Sequence, residues 1–203
     1  MAARKNKTQR QAEILDAAAA LFLAHGFEAT TLSAIIARTG GSRRDIYALF
    51  GDKDALFVAA MRRLFETALA PLGSIAEKDG PPEAVLAALG RQFLTLITAP
   101  DMLASYRLIL AEIHRFPELG QAFYEAGPSR AYPAVAAYLK RATSRGALAV
   151  EDPDRAAIVF LEMVKGDLQH RVMFVPGSRL DAGAIETQVA AAVSIFLDGT
   201  RMR

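Results

Sequence analysis

Cysteine is absent from the 203-residue chain, so disulfide staples, thiolate metal ligation and thiol catalysis are excluded, and the composition suits a reducing cytoplasm. Long hydrophobic runs are missing too. Although 52% of the residues are hydrophobic, the longest purely apolar stretch, residues 17–24, falls far short of the roughly 18 residues that a membrane span requires. The chain therefore reads as soluble, with no membrane partner. The opening Met-Ala-Ala-Arg-Lys-Asn-Lys carries basic residues with no apolar core or cleavage pattern behind them, which reads as a flexible basic arm rather than a secretory signal. No nucleophile–base pair, phosphate-binding loop or metal-ligand cluster stands at a readable spacing, so neither enzymatic activity nor a cofactor is expected.

Charge of one sign is also scarce, the net being +2, but its distribution is uneven. Residues 1–63 hold ten Lys/Arg against six Asp/Glu, whereas residues 64–203 hold fourteen against sixteen. A basic N-terminal third joined to a mildly acidic remainder points to a polyanion met at one end only.

What is present is helix-forming. Ala, Leu and Arg dominate, tryptophan is absent, and no β-branched alternation persists, so the fold class is all-α. Thr8 opens a capping-box spacing, and Ala12, Leu15, Ala19, Phe22 and Leu23 recur at helical intervals as far as His25-Gly26, which predicts a first helix over 8–25. Thr31 caps a short second helix with Leu32, Ile35 and Ile36 inward, ended by Gly40-Gly41. Ser42-Arg43-Arg44-Asp45 is a further capping box, followed by the apolar stripe Ile46, Leu49 and Phe50. Asp52 caps a fourth, connecting helix that ends near Pro71, with a loop from Gly73 to Pro82. Later helices are predicted over 83–98, 101–116, 117–126, 128–145, 153–174 and 181–198, started by proline or capping residues.

Two short helices around a tight Gly-Gly-Ser turn form a helix-turn-helix, completed as a three-helix DNA-binding domain over 1–60, with a helical bundle over 61–203. If Ile46, Leu49 and Phe50 point inward, Arg44, Tyr47 and Ala48 point outward, with Arg43 at the exposed first turn. An arginine leading a groove helix can pair bidentately with guanine, worth about 1–3 kcal/mol of discrimination. Arg44 is therefore the candidate for bases, and Arg43 for base or phosphate. Thr31, Ser33, Ser42, Tyr47 and Lys53 are candidates for holding the backbone of double-stranded DNA, and Arg4, Lys5, Lys7 and Arg10 for arm contacts. Asp45 either caps its helix or accepts from cytosine; capping is the favoured reading.

The run from Thr31 to Leu56 resembles the TetR family of repressors, with Gly26-Phe27, Ile35, Ala37, Gly40, Ser42, Tyr47, Phe50 and Lys53 all in the family's places. It departs from that pattern at Gly41, Arg44 and Leu49, where Val, a small residue and a phosphate-contacting His are usual. Arg115-Phe116-Pro117-Glu118-Leu119, Phe123-Tyr124-Glu125 and Gly127-Pro128 are similar to the C-terminal domains of efflux-linked members. The resemblance implies a homodimer formed by the last two helices, an operator with two half-sites, and an apolar cavity for a small hydrophobic or aromatic effector.

Candidate effector contacts are Phe93, Tyr106, Ile109, Leu110, Ile113, His114, Phe123, Tyr124, Phe160 and Met163. Apolar residues at helical spacing are more often simply core, while His114 is a candidate to hydrogen-bond a ligand. Asp167 and His170 stand at i, i+3, but no second pair supports a metal site. The competing function is an all-helical carrier or enzyme without DNA binding, which would bury Arg43, Arg44, Tyr47 and Lys53 in a helix interface instead of exposing them.

Overall fold

The computed structural model describes residues 7–175 and 177–200. Among these, every regular element is a helix: α1 (Lys7–Ala29), α2 (Leu32–Thr39), α3 (Arg43–Phe50), α4 (Lys53–Ala76), α5 (Pro82–Ile97), α6 (Pro100–Glu112), α7 (Pro117–Ala126), α8 (Pro128–Ser144), α9 (Pro153–Lys165), α10 (Leu168–Phe174) and α11 (Ala182–Thr200). The all-α expectation holds, and no single helix among the described residues is long and apolar enough to cross a membrane.

The first helix, expected over 8–25, runs to Ala29 across a break at Gly26, and three further boundaries differ from the sequence-based expectation. The fourth helix continues through Pro71 to Ala76. An interior proline costs about 3 kcal/mol, but Leu72 and Ala76, beyond it, are 1% and 3% exposed, and their burial offsets much of that cost. α6 stops at Glu112, and Pro117 disfavours helical backbone in Phe116, the residue before it. Residues 113–115 form a turn, and Phe116 lies between it and α7.

The helix expected over 153–174 is two helices, broken at Gly166. Gly166 adopts φ 50° and its amide donates to Glu162 O at 3.1 Å. The Gln188 side-chain amide, from α11, donates to Met163 O at 2.7 Å, and a Cβ on Gly166 would lie 2.6 Å from Gln188 Nε2. The positive φ favours glycine here, and a Cβ would also push the Gln188 amide from its place. Gly166→Ala is expected to destabilise the protein by about 1–3 kcal/mol, read as a lower urea midpoint; an unchanged midpoint would refute this account of the break.

The chain divides into two compact units that do not follow its order. One runs through Thr67 and resumes at Ala104–Ala126; the other comprises Ala68–Leu103 and the chain from Gly127 onward. The first is built on aromatic rings. Phe57 lies 4.7 Å from Phe22 and 5.0 Å from Phe27, and Phe116 lies 4.7 Å from Phe27 and 5.8 Å from Phe57. These four rings are nearly or wholly buried, each contributing about 1.5–3 kcal/mol of transfer free energy. α1 is interrupted at Gly26, and the buried Thr30 hydroxyl faces the carbonyls left there, at 3.1 Å from Leu21 O and 2.8 Å from Gly26 O.

The second unit is a helical bundle whose core unites α5, α8, α9 and α11 through residues such as Leu89, Leu139, Leu161 and Val193. Its helices approach closely at Gly90, where a Cβ would lie 3.0 Å from Val189 Cγ1 and 3.3 Å from Val164 Cγ2.

Candidate nucleic-acid interface

The turn between α2 and α3 is set by its caps. Thr31 Oγ1 accepts from Ala34 N at 3.1 Å, which satisfies one open amide of α2 and leaves the hydroxyl proton available to an outside acceptor. Ser42 and Asp45 form the reciprocal capping box of α3: Asp45 N donates to Ser42 Oγ at 3.2 Å, and Ser42 N donates to Asp45 Oδ2 at 2.8 Å. Ser42 Oγ also donates to Asp45 Oδ2 at 2.9 Å, so this hydroxyl serves the helix. Asp45 is therefore a cap, the favoured of its two readings.

Ser42's hydroxyl and amide hold the Asp45 carboxyl below the usual aspartate range, and Arg10 and Arg44 add to the effect. A depressed carboxylate contributes stability above its ordinary pKa and loses it as the pH falls through the lowered value. The start of α3 is thus held at neutral pH.

Behind these caps, Ile35 and Ile46 are buried, while Leu49 and Phe50 are half-buried. Arg43, Arg44, Tyr47 and Ala48 are exposed, as the inward stripe requires. Arg43 and Tyr47, at i and i+4, share a face with Arg44, at i−3 from Tyr47. Arg43 Nη2 donates to Ser33 Oγ at 2.8 Å, which ties the first turn of α3 to α2.

At the start of α4, Asp52 Oδ1 accepts from Ala55 N at 2.7 Å. Lys53 is held rather than loose: its Nζ donates to Glu28 O at 3.3 Å and stands 4.3 Å from the Phe27 ring centroid, a cation–π placement. Of the four residues that the carrier alternative would bury, Arg43, Arg44 and Tyr47 are exposed and Lys53 is half-buried.

Of the basic arm, Arg4 and Lys5 lie outside the described residues, and Lys7 is exposed. Arg10 does not extend outward as an arm contact. It donates to the carbonyls of Thr39 and Gly40.

Several stabilising residues left no signal in the sequence pattern. Arg63 binds Asp16 through two bonds, at 2.6 and 3.1 Å, joining α4 to α1. Arg62 donates to Glu125 Oε2 at 2.7 Å, and with Gln121 it holds that carboxyl below the usual glutamate range. Arg115 pairs with Glu28 and lies 5.0 Å from the Phe27 ring. These partners are far apart in sequence, which is why spacing rules do not find them.

The effector candidates divide between the two units. In the first, Phe123 packs edge-on against Tyr106 at 4.9 Å and Phe65 at 5.2 Å. Ile109 is buried there and Ile113 half-buried, whereas Leu110, His114 and Tyr124 are exposed. In the second, Phe93 and Phe160 are buried, Met163 is half-buried, and Phe160 meets Phe196 at 5.2 Å. None of the ten lines the open groove of about 630 Å³ beside α4, which is bounded by Leu15, Asp52, Val58, Arg62, Glu66 and Glu118. Asp167 and His170 are exposed, and no group of three metal-ligating side chains assembles among the described residues.

Comparison with known proteins places this geometry. Residues 14–60 match the model of bacterial regulatory proteins, tetR family, and residues 84–199 that of the AefR-like transcriptional repressor, C-terminal domain. Among curated proteins, the uncharacterized HTH-type transcriptional regulator YfiR of Bacillus subtilis (strain 168) is 39% identical over 66 residues, 32% of this chain and 30% of that protein. The chain thus spans less than a third of that relative. A solved structure of a TetR-family transcriptional regulator from Mesorhizobium loti MAFF303099 is 27% identical, covers 98% of this chain and 100% of its own, and superposes with a TM-score of 0.90. The flavonoid-responsive regulator FrrA is 31% identical, with 97% and 99% covered and a TM-score of 0.73.

Proposed function

The chain belongs to the TetR family of transcriptional regulators, DNA-binding proteins rather than enzymes, and on that premise we propose that it is a ligand-responsive repressor. As a homodimer it binds a two-half-site operator and is released by a small hydrophobic or aromatic effector. The carrying observation is the reading helix α3, fixed at its start by the Ser42–Asp45 box with Arg43, Arg44 and Tyr47 exposed. Arg44 reads bases, Arg43 bases or phosphate; Thr31, Ser33, Tyr47 and Lys53 set the register on the backbone, with Ser42 holding the helix that presents them.

The functional division follows from this assignment: residues 1–60 read DNA, and residues 61–203 carry effector response and dimerisation. α9 and α11 supply the dimer contact, supported by the outward Ile158, Val159 and Ile195. Release is a population shift, in which the effector binds better to a dimer whose reading heads are wrongly spaced for consecutive major grooves. The aromatic row Phe65–Phe123–Tyr106 supports an aromatic effector, as does the likeness to a flavonoid-responsive protein. A flavonoid panel is the first set to titrate.

Arg44→Ala is expected to weaken binding to the selected operator roughly tenfold or more, since one bidentate guanine contact is worth about 1–3 kcal/mol in each half-site. Binding to random duplex should stay nearly unchanged. Fluorescence anisotropy at several salt concentrations measures both. Equal losses on the two duplexes would remove Arg44 from base reading, and a wild-type protein that selects no duplex in a salt-sensitive way would refute the regulator.

A further inference from the structure

Arg10 reaches from the first turns of α1 to the turn between α2 and α3, 29 and 30 residues away in sequence. Its two terminal nitrogens donate to the carbonyls of Thr39, the last residue of α2, and of Gly40, its C-cap. A helix end leaves such carbonyls without intrahelical partners and gathers partial negative charge on them. A planar guanidinium answers both conditions, because it offers two parallel donors and a positive charge.

The next residue is shaped to receive it. Gly41, at φ 92°, has no side chain where a Cβ would lie 2.8 Å from Arg10 Nη2 and 3.1 Å from Asp45 Oδ2. The guanidinium is thus flanked by the turn carbonyls and by the carboxylate that caps the reading helix, with Glu13 Oε2 3.9 Å from Nη1. The pair of donors spent in this way is not presented to a phosphate.

We infer that Arg10 is a positioning residue for DNA reading: seated on Gly41, its guanidinium ties α1 to the turn from which α3 starts, and so fixes the direction in which Arg43 and Arg44 are presented. The inference rests on the DNA-binding reading and adds to it a residue that acts without touching DNA. It also couples Gly41 to Arg10, since a Cβ at 41 forces the guanidinium to move from this seat.

The test uses the full-length protein, the duplex that the wild type enriches from a random pool, and a scrambled duplex of equal length. Arg10→Ala is expected to lower affinity for the enriched duplex about tenfold, the size of one misaligned bidentate contact. Affinity for the scrambled duplex and the salt slope stay as in the wild type. Arg10→Lys gives no rescue, because a single ammonium does not reproduce the fork. Gly41→Ala also lowers the selective affinity, but by less in the Arg10→Ala background, where only backbone strain remains.

Thermal unfolding of each variant accompanies the titrations, since a merely destabilised protein loses both affinities together, and that result would overturn the inference. So would a salt slope reduced by about 0.9 per lost contact and restored by Arg10→Lys, the signature of a phosphate contact. A selective wild type with an indifferent Arg10→Ala overturns this inference alone; a wild type that enriches no duplex overturns the DNA-binding reading and this inference with it.

Discussion

Phe57→Ala is expected to lower the stability of the N-terminal unit by about 3–5 kcal/mol, the range for removing a buried phenylalanine. The ring is fully buried and touches Phe22, Phe27 and Phe116, so alanine leaves a cavity walled by three rings that are themselves packed. Each lost aromatic pair adds about 0.5–1.5 kcal/mol beyond area burial. Against a total stability of about 5–15 kcal/mol, the loss removes much of the margin on which the reading head depends. Urea unfolding followed by circular dichroism measures it, and DNA binding should fail at a lower temperature in parallel. A change below about 1 kcal/mol would mean that the site collapses around the deletion, and that this ring cluster is not what holds α1 and α4 together.

Ile195→Asp is expected to convert the proposed dimer to monomers and to weaken operator binding at least a hundredfold, because linked half-site binding gains about 10²–10⁴ from effective concentration. Ile195 is 64% exposed on α11, and Ile158 and Val159 are 43% and 48% exposed on α9. The opposite faces of both helices, with Val189, Val193, Phe160 and Val164, fill the core of the second unit. A two-fold interface uses every residue twice, so one substitution brings in two carboxylates. Light scattering after size exclusion gives the mass, and the melting temperature gives the control, since a surface substitution in a true monomer changes stability by only about 0.5 kcal/mol. A variant that keeps the dimeric mass and full operator affinity would move the interface elsewhere.

What could be read from the chain was mostly what is local. Thr31 and Ser42 act within three residues of themselves, so the caps, the short helices and the outward arginines followed from spacing alone. Proline at the first turn of α7, α8 and α9 marked their starts equally well. Gly166 was missed because the apolar spacing runs on from Val164 to Leu168, and the reason for the break, the Gln188 amide, comes from another helix. Pro71 misled in the opposite sense: a strong local breaker was overruled by the burial of Leu72 beyond it. Arg10 was read as one more basic residue in an arm, since nothing nearby shows that two carbonyls some thirty residues away take both its nitrogens. For the effector candidates, a helical stripe indicates burial but not which unit a side chain joins, and it did not show that Leu110 and Tyr124 are exposed.

The interleaved division of the chain bears on how the protein is made. The N-terminal unit needs Phe116 to close its ring cluster, and Arg115 to reach Glu28 across 87 residues of sequence. At roughly 5–20 residues per second on the ribosome, the reading head therefore waits several seconds with Phe27 and Phe57 uncovered while the intervening segment is synthesised. Contacts of such long sequence separation also carry the loop-closure entropy that slows folding. The helix-turn-helix comes first in the chain, but its unit is complete only once α7 has been made, so a product that ends before Phe116 lacks the ring that closes the cluster.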